Sequence, residues 1–424
     1  MRSRRHSLTI VCALASLTVA LGGCGGSAKS RKGGGAQAKI LDIYSDLPLH
    51  GADATETAAI NNGIRLALSQ EGGRAGQFSV HFKALDDSTA QAGGWDAETT
   101  LADARQVAGD PRAIYDIGDF DSEASEISMP IMNEAGIAQV SPSNTYNGLT
   151  STGDGSVPGE PAKYAPTDKL TYLRLVPRDF VQAGADLLAM AQARCQRVAL
   201  ADDGTVSAAG LVGVMELFHQ VYGIDVVGVP RTMGPGATSL TAYAGRLKAE
   251  RITCFEFAGS VRQGVAIADA VHAAVPTAKI FGPSELCTSA WTNSAQGGVV
   301  PAVDRVLECT QPTLPLIDYH GGATFQADYA AAYGVADPSP WSIYGYEAMK
   351  LGLDTIARLG SRGDDRAALV AALFAIRDRR SVIGTYSFDH ATGDTTLRDF
   401  GLYKVAADGN PTRFVRVLHP QPGI

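Results

Sequence analysis

The chain has 424 residues, 45% hydrophobic and 19% charged, a balance that buries two or three cores and is not that of a disordered polymer. Its 36 basic residues against 44 acidic ones leave a net charge of −8, which argues against nucleic acid as a partner because that partner needs a basic face. Forty-seven glycines and 20 prolines are spread along the chain, as expected for many short joints between elements.

The first element is an address. Arg2, Arg4 and Arg5 precede an apolar run over 8–21 that is too short to span a bilayer. Leu21-Gly22-Gly23-Cys24 follows and resembles a bacterial lipobox, in which the cysteine is acylated and becomes the first mature residue. On that reading 1–23 is a lipoprotein signal peptide, 24–37 a flexible tether, and the protein is extracytoplasmic, lipid-anchored to the outer face of the cell membrane. An ordinary signal peptide with an incidental Cys24 is the alternative.

From residue 40 the pattern alternates between strand and helix. Residues 40–44 form a short apolar run. Ile60, Ile64, Ala67 and Leu68 then recur at helical spacing. Val80, Phe82 and Ala84 alternate as a strand, and Ala97, Leu101, Ala104 and Val107 return to the helical period. A strand at 113–117, a helix at 123–134 and a strand at 137–140 continue the series. Such alternation with short joints predicts parallel βαβ units. Residues 146–170, with Gly153, Gly155, Pro158, Gly159, Pro161 and Pro166, read as a long loop.

A second series begins with a strand at 173–176 and a helix at 180–193. Strands at 198–201, 226–229, 252–257, 280–281 and 306–309 follow, with helices at 208–222, 239–249 and 262–274. Helices near 323–333, 342–359 and 366–376 come next, then hairpin-like strands at 384–388, 398–404 and 413–418. The turn at 389–394 joins the first two of these. The fold class is therefore α/β, with two Rossmann-like doubly wound lobes and a ligand expected beyond the C-terminal strand ends, beside helix N-termini.

Ile117-Gly118, Ser122, Ser125 and Gly136-Ile137 lead without a gap to Ser141-Pro142-Ser143-Asn144-Thr145. Pro48-Leu49-x-Gly51, Asn62-Gly63, Asp86-Asp87, Gly282-Pro283 and Tyr344-Gly345-Tyr346-Glu347-Ala348 add to the set. Together these resemble the leucine/isoleucine/valine-binding proteins, the type I periplasmic binding proteins of ABC importers, over about residues 39–404. The Asn144-Thr145-Tyr146 loop, with Gly159-Glu160-Pro161 and Lys163-Tyr164, looks like an actinobacterial branch.

The resemblance implies a periplasmic binding protein-like I fold with three crossovers, near 172–174, 309–313 and 382–386. Lobe 1 is then 38–172 with 313–383, and lobe 2 is 173–312 with 384–424. It also implies a monomer that takes up a small-molecule solute by hinge closure and hands it to ABC permease subunits, with no cofactor. Carried over by position, Ser122 and Thr145 offer hydroxyls, and Phe120, Ser143 and Asn144 backbone groups, to a ligand carboxylate or similar polar head. A plain helix cap is the other reading of Ser122.

The sequence departs from the family elsewhere. Glu56 stands where an aromatic is expected, Ser207 where a Tyr often occurs, and no aromatic lies near Gly259-Ser260-Val261. The family's amine-binding acid follows Gly-Pro directly. Here Ser284 does, and Glu285 comes one later. These changes predict poor binding of leucine, isoleucine and valine, and better binding of a polar amino acid, an amide or another small hydroxylated or amine-bearing solute. Phe120, Asp119 and Asp121 are expected to add a partly acidic, partly apolar rim, with solvated turn residues the other reading of the two aspartates.

Cys195, Cys254, Cys287 and Cys309 are an even set in an exported chain, which favours disulfides. A Cys287–Cys309 bridge is expected to tie the last strand–helix unit of lobe 2 to its edge. Cys195 and Cys254 either pair or stay buried as thiols. No nucleophile elbow or phosphate loop is present, and the eight histidines show no metal-ligand spacing. Transporter delivery is the preferred function, a ligand sensor of the same fold the second, and a cleft hydrolase the third.

Overall fold

A computed structural model describes residues 38–228, 240–404 and 413–421. The signal peptide, the tether and Cys24 lie outside the described residues, as do residue 229 of one expected strand and residue 239 of one expected helix.

In the first lobe β1 (Ile40–Asp46) leads to α1 (Ala54–Gln70), then β2 (Arg74–Ala75), β3 (Phe78–Leu85) and the short pair β4 (Ser88–Thr89) and β5 (Gly94–Trp95). After these come α2 (Ala97–Gly109), β6 (Ala113–Gly118), α3 (Ser122–Ala135), β7 (Ala138–Ser141) and β8 (Tyr172–Arg174). The sheet order is β2-β3-β1-β6-β7-β8, parallel throughout except where β2 folds back on β3. Every residue of β6 is buried, as a central parallel strand covered on both faces requires.

The second lobe runs α4 (Asp179–Gln192), β9 (Arg197–Asp202), α5 (Val206–Phe218), β10 (Asp225–Val226), α6 (Leu240–Ala249) and β11 (Cys254–Ala258). It continues through α7 (Val261–Ala274), β12 (Lys279–Gly282), α8 (Ser289–Thr292) and β13 (Leu307–Gln311). The chain then returns to the first lobe with α9 (Gly322–Tyr333), α10 (Ser342–Leu359), α11 (Arg366–Phe374) and the hairpin of β14 (Arg379–Ser381) and β15 (Gly384–Tyr386), and ends on the second with β16 (Phe400–Lys404) and β17 (Arg413–Leu418). The second sheet is ordered β10-β9-β11-β12-β13-β16-β17, with β16 antiparallel to both neighbours. Val198 and Leu200 enter one apolar cluster while Ala199 and Ala201 enter another, so β9 is covered on both faces.

Three details differ from the sequence reading. The strand read at 173–176 as the start of the second series is β8, the edge of the first sheet, because it pairs with β7 and its apolar residues pack in the first core. Both sheets are mixed, because antiparallel strands add to their edges. The segment at 384–388 does not pair with 398–404: β15 pairs with β14, and only a single bridge, Phe388 to Thr395, closes the turn between them. Tyr386 donates to Glu347 at 2.7 Å and Arg379 pairs with the same carboxylate at 2.6 Å. Ile383, Tyr386 and Phe388 therefore belong to the first lobe's core, and the last passage between lobes comes after Phe388.

Helix α10 returns to the first lobe and crosses α1 with the two backbones nearly touching. A Cβ on Gly63 would stand 2.0 Å from the Ser342 carbonyl oxygen, and one on Gly345 2.3 Å from that of Ile60. This close approach accounts physically for the glycines of the Asn62-Gly63 and Tyr344-Gly345 pairs. The structure joins Cys195 to Cys254 and Cys287 to Cys309, with Cα separations of 5.6 and 5.5 Å.

Candidate ligand-binding site

The site is built where β6 and β7 end. Asp119 is fully buried rather than part of a rim, which corrects the sequence reading. Its carboxylate accepts from Ser125 Oγ at 3.0 Å, from Gln139 Nε2 at 3.3 Å and from Ser128 Oγ. Burial pushes it up to about 6 despite those donors. Ser141, the last residue of β7, organises the next loop. Its Oγ donates to the Asp119 carbonyl at 2.8 Å and accepts the N–H groups of Asn144 at 2.9 Å and Ser143 at 3.2 Å.

Asn144 donates through Nδ2 to the Phe120 carbonyl at 2.8 Å, and its Oδ1 accepts from Ser125 Oγ at 2.6 Å and Tyr172 OH at 2.8 Å. Ser143 Oγ also donates to the Phe120 carbonyl, at 2.8 Å. The Phe120 carbonyl and the N–H groups of Ser143 and Asn144, among the groups expected to face a ligand, are thus engaged within the loop itself. Buried donors and acceptors need internal partners, and here the loop supplies them. The Phe120 ring stands edge-on to Trp341, with centroids 5.8 Å apart.

Ser122 and Thr145 are arranged differently. Ser122 opens α3, and its Oγ accepts the Tyr146 N–H at 3.3 Å, leaving the hydroxyl proton to donate elsewhere. The Thr145 carbonyl accepts the Asp179 N–H at 2.7 Å, and its hydroxyl bonds the Asp179 carboxylate. Asp179 is the first residue of α4, so this contact spans the passage from the first sheet to the second. Burial pushes its carboxyl up to about 6. A second crossing lies beside it: Ser207 Oγ, near the start of α5, donates to Glu123 Oε1 at 2.5 Å. Hydrogen bonds therefore tie the first turns of α4 and α5 on one lobe to Thr145 and the first turn of α3 on the other.

Glu285 lies in the turn after β12, open to solvent yet walled by protein. That enclosure, with the negative charge of Asp179, pushes its carboxyl up to about 8. Glu56, in the first turn of α1, is pushed up to about 7 by burial, with Asp53 adding to it. Ser260 is exposed, and its N–H donates to Asp203 Oδ2 at 2.8 Å, so the structure ties it to Asp203 rather than to the Ser122–Thr145 pair.

Arg174 underpins the whole arrangement. It is fully buried, donates to the Tyr146 carbonyl at 2.8 Å and Thr150 Oγ1 at 2.6 Å, and pairs with Asp394 at 2.9 Å. Sequence reasoning missed Asp179, Glu123 and Arg174. Acids in the first turn of helices that follow parallel strands were the available signal.

The family model for periplasmic binding proteins matches residues 47–410. The chain belongs to that family. No curated protein sequence matches it. A leucine-binding protein from Thermotoga maritima superposes with a TM-score of 0.69 at 19% identity, covering 90% of this chain and 99% of the other. An ABC transporter substrate-binding protein from Desulfitobacterium hafniense, in complex with leucine, gives 0.70 at 16% identity over 89% and 100%. A solute-binding protein from R. palustris in complex with benzoate gives 0.69 at 19%, over 90% and 97%. At these identities the likeness is one of fold. As a periplasmic binding protein the chain is a binder rather than a catalyst. Among the described residues no cluster of His, Cys, Asp or Glu is placed to hold a metal ion, and no helix is long and apolar enough to cross a membrane.

Proposed function

We propose that this periplasmic binding protein is the extracytoplasmic solute-binding lipoprotein of a branched-chain-amino-acid-type ABC transporter. It takes a small polar ligand into the cleft, closes by a hinge motion and presents it to the permease subunits. Cleavage before Cys24 leaves a lipid anchor and the 24–37 tether, from which the lobes reach the permease as a monomer. Lobe 1 consists of 38–172 with 313–383, extended to Val176 and to Phe388 by the packing of those segments into the first core, and lobe 2 of the remainder.

One observation carries the reading. Thr145 and Glu123 of the first lobe meet Asp179 and Ser207 of the second at the ends of parallel strands, where such folds bind ligands, and Ser122 opens the same helix as Glu123. Ser122 and Thr145 are the ligand contacts on lobe 1, and Glu285 and Ser207 those on lobe 2. Glu56 lies at the edge of the pocket and disfavours an apolar side chain there.

The test is native mass spectrometry of the purified protein for a retained small molecule, followed by titration of that molecule with small-angle scattering as the readout of closure. Compaction on binding, weakened in Ser122→Ala and Thr145→Val by roughly 10-fold or more, is expected for loss of a hydrogen bond to a charged head. A protein that retains nothing and never compacts refutes the proposal.

A further inference from the structure

Hinge closure, as proposed above, needs a surface on which the lobes meet, and this inference rests on that reading. Helix α5 of the second lobe carries Gly210 in its interior, where glycine weakens a helix relative to alanine. The neighbour that requires it comes from the other lobe. A Cβ on Gly210 would stand 2.7 Å from the Gly155 carbonyl oxygen and 3.3 Å from Cε2 of Tyr146. Gly155 has a φ of +76°, and a Cβ there would meet Asn147 Nδ2 at 2.4 Å, Cγ2 of Val214 at 3.0 Å and the Gly210 carbonyl oxygen at 3.2 Å. Neither position has room for a side chain.

Residues 207, 210 and 214 share one face of α5. Gly210 and Val214 meet Gly155, and Ser207 Oγ donates to Glu123 Oε1, in the first turn of α3, at 2.5 Å. One helix face of lobe 2 therefore touches lobe 1 at two separate places, without any other group between them.

The lobe 1 side of this contact is firmly held. Glu160 is buried and accepts from Tyr146 OH at 2.6 Å, Tyr164 OH at 2.7 Å, the Val157 N–H at 2.8 Å and Lys163 Nζ at 2.9 Å. Tyr146, Leu149 and Tyr164 pack with Met129 of α3 and Tyr172 of β8. The long loop is thus part of the body of lobe 1, and it presents Gly155 as a stop. It also reaches the start of α4, where the Asp179 N–H donates to the Thr145 carbonyl at 2.7 Å and the Phe180 N–H to Asn147 Oδ1 at 2.9 Å. The α5 contact suits surfaces that part and rejoin. Water satisfies Ser207 and Glu123 when they separate, and two glycines have no side-chain freedom to lose when they meet.

We propose that Gly155 and Gly210 are positioning residues for closure. The 146–157 loop of lobe 1 is the stop against which α5 of lobe 2 seats, and this contact, latched by Glu123 and Ser207, biases the free protein toward its closed form. Neither glycine is a ligand contact. A side chain at position 210 holds the lobes apart, and the solute then binds only the fraction of molecules that still close, which lowers its apparent affinity.

The experiment compares the whole wild-type protein with Gly210→Ala, Glu123→Ala and Gly245→Ala, without added solute, by small-angle scattering, hydrogen exchange and urea unfolding. Gly245 lies in α6 of the same lobe with nothing within 4 Å of a Cβ position, so its change to alanine brings the same gain in helix propensity without the contact. Gly210→Ala is expected to show a larger radius of gyration and faster exchange at the Asp179 and Phe180 amides, with a urea midpoint no lower than that of the wild type. Glu123→Ala shifts radius and exchange in the same direction by less, and Gly245→Ala moves neither. An unchanged radius and unchanged exchange in Gly210→Ala overturn the inference. A lowered midpoint, or failure to fold, overturns it too, because Gly210 is then a packing residue of lobe 2 rather than part of a separable surface. In either case a solute retained by the wild type, with compaction on binding, leaves the solute-binding reading standing.

Discussion

Replacing Arg174 by methionine keeps the length of the side chain and removes its charge. In the folded protein the guanidinium is fully buried, pairs with Asp394 at 2.9 Å, and reaches the Tyr146 carbonyl and Thr150 Oγ1 at 2.8 and 2.6 Å. Taking away one member of a buried pair leaves the other charge uncompensated, at about 3–5 kcal/mol. Asp394 keeps some support from Thr150 Oγ1 at 2.8 Å and from Arg178 at 3.7 Å, which argues for the lower half of that range. With unfolding entropies of roughly 2 cal/mol/K per residue, the melting temperature should fall by about 4–6 °C if both lobes unfold together, and by roughly twice that if the first unfolds alone.

The site should also loosen, because Arg174 links the 144–150 loop, the start of the second lobe and the turn at 389–394. Urea unfolding of Arg174→Met, Asp394→Asn and the double variant gives the coupling between the two side chains. A cost below about 1 kcal/mol for Arg174→Met, or single costs that simply add within about 0.5 kcal/mol, would refute the reasoning.

Three further outcomes are expected. Loss of the Cys287–Cys309 bridge, whose ends are 22 positions apart in sequence, should cost about 3 kcal/mol in the chain-entropy model, against about 4 for Cys195–Cys254, 59 positions apart. Non-reducing peptide mapping and urea unfolding of Cys287→Ser/Cys309→Ser and Cys195→Ser/Cys254→Ser check the bridges and the order of the two costs. Asp87 is fully buried, both its oxygens lack a hydrogen-bond partner, and burial with the charge of Asp119 pushes it up to about 8. Its raised folded value means that the folded state holds the extra proton. Stability is then full below pH about 4 and falls through pH 8, at up to about 1.4 kcal/mol per unit. Asp87→Asn should therefore gain on the wild type between pH 5 and pH 8.5, and a constant difference in urea midpoint counts against this. Finally, Cys24→Ala should leave the detergent phase on phase partitioning, whereas the wild type stays in it.

Local pattern made most of the elements legible. The strand and helix periods place β1, β6 and α10 within two residues of where they lie, because burial on one face or both imposes a period on neighbouring residues. The motif glycines were legible too, although their reason was not: Gly63 and Gly345 matter only because α1 and α10 cross there, 282 positions apart in sequence. Even cysteine count and export argued for bridges, but which sulfurs meet depends on the order of strands in the second sheet.

Tertiary structure alone decided the character of the site. In sequence Asp119 and Asp121 are equivalent acids two residues apart at the end of a strand. In space Asp119 turns inward, where its Oδ2 accepts from Ser125, Ser128 and Gln139, whereas Asp121 stands at the N-terminus of α3 and its side chain caps no N–H. Two of the donors read as ligand-facing, the N–H groups of Ser143 and Asn144, are taken up by Ser141 Oγ at the end of β7. The acids that gather around the cleft come from segments as distant as Asp53 and Glu285. Periodicity reports which face of an element is buried, but the sign of a pocket depends on which distant helix ends the packing brings together, and no local pattern encodes that sum.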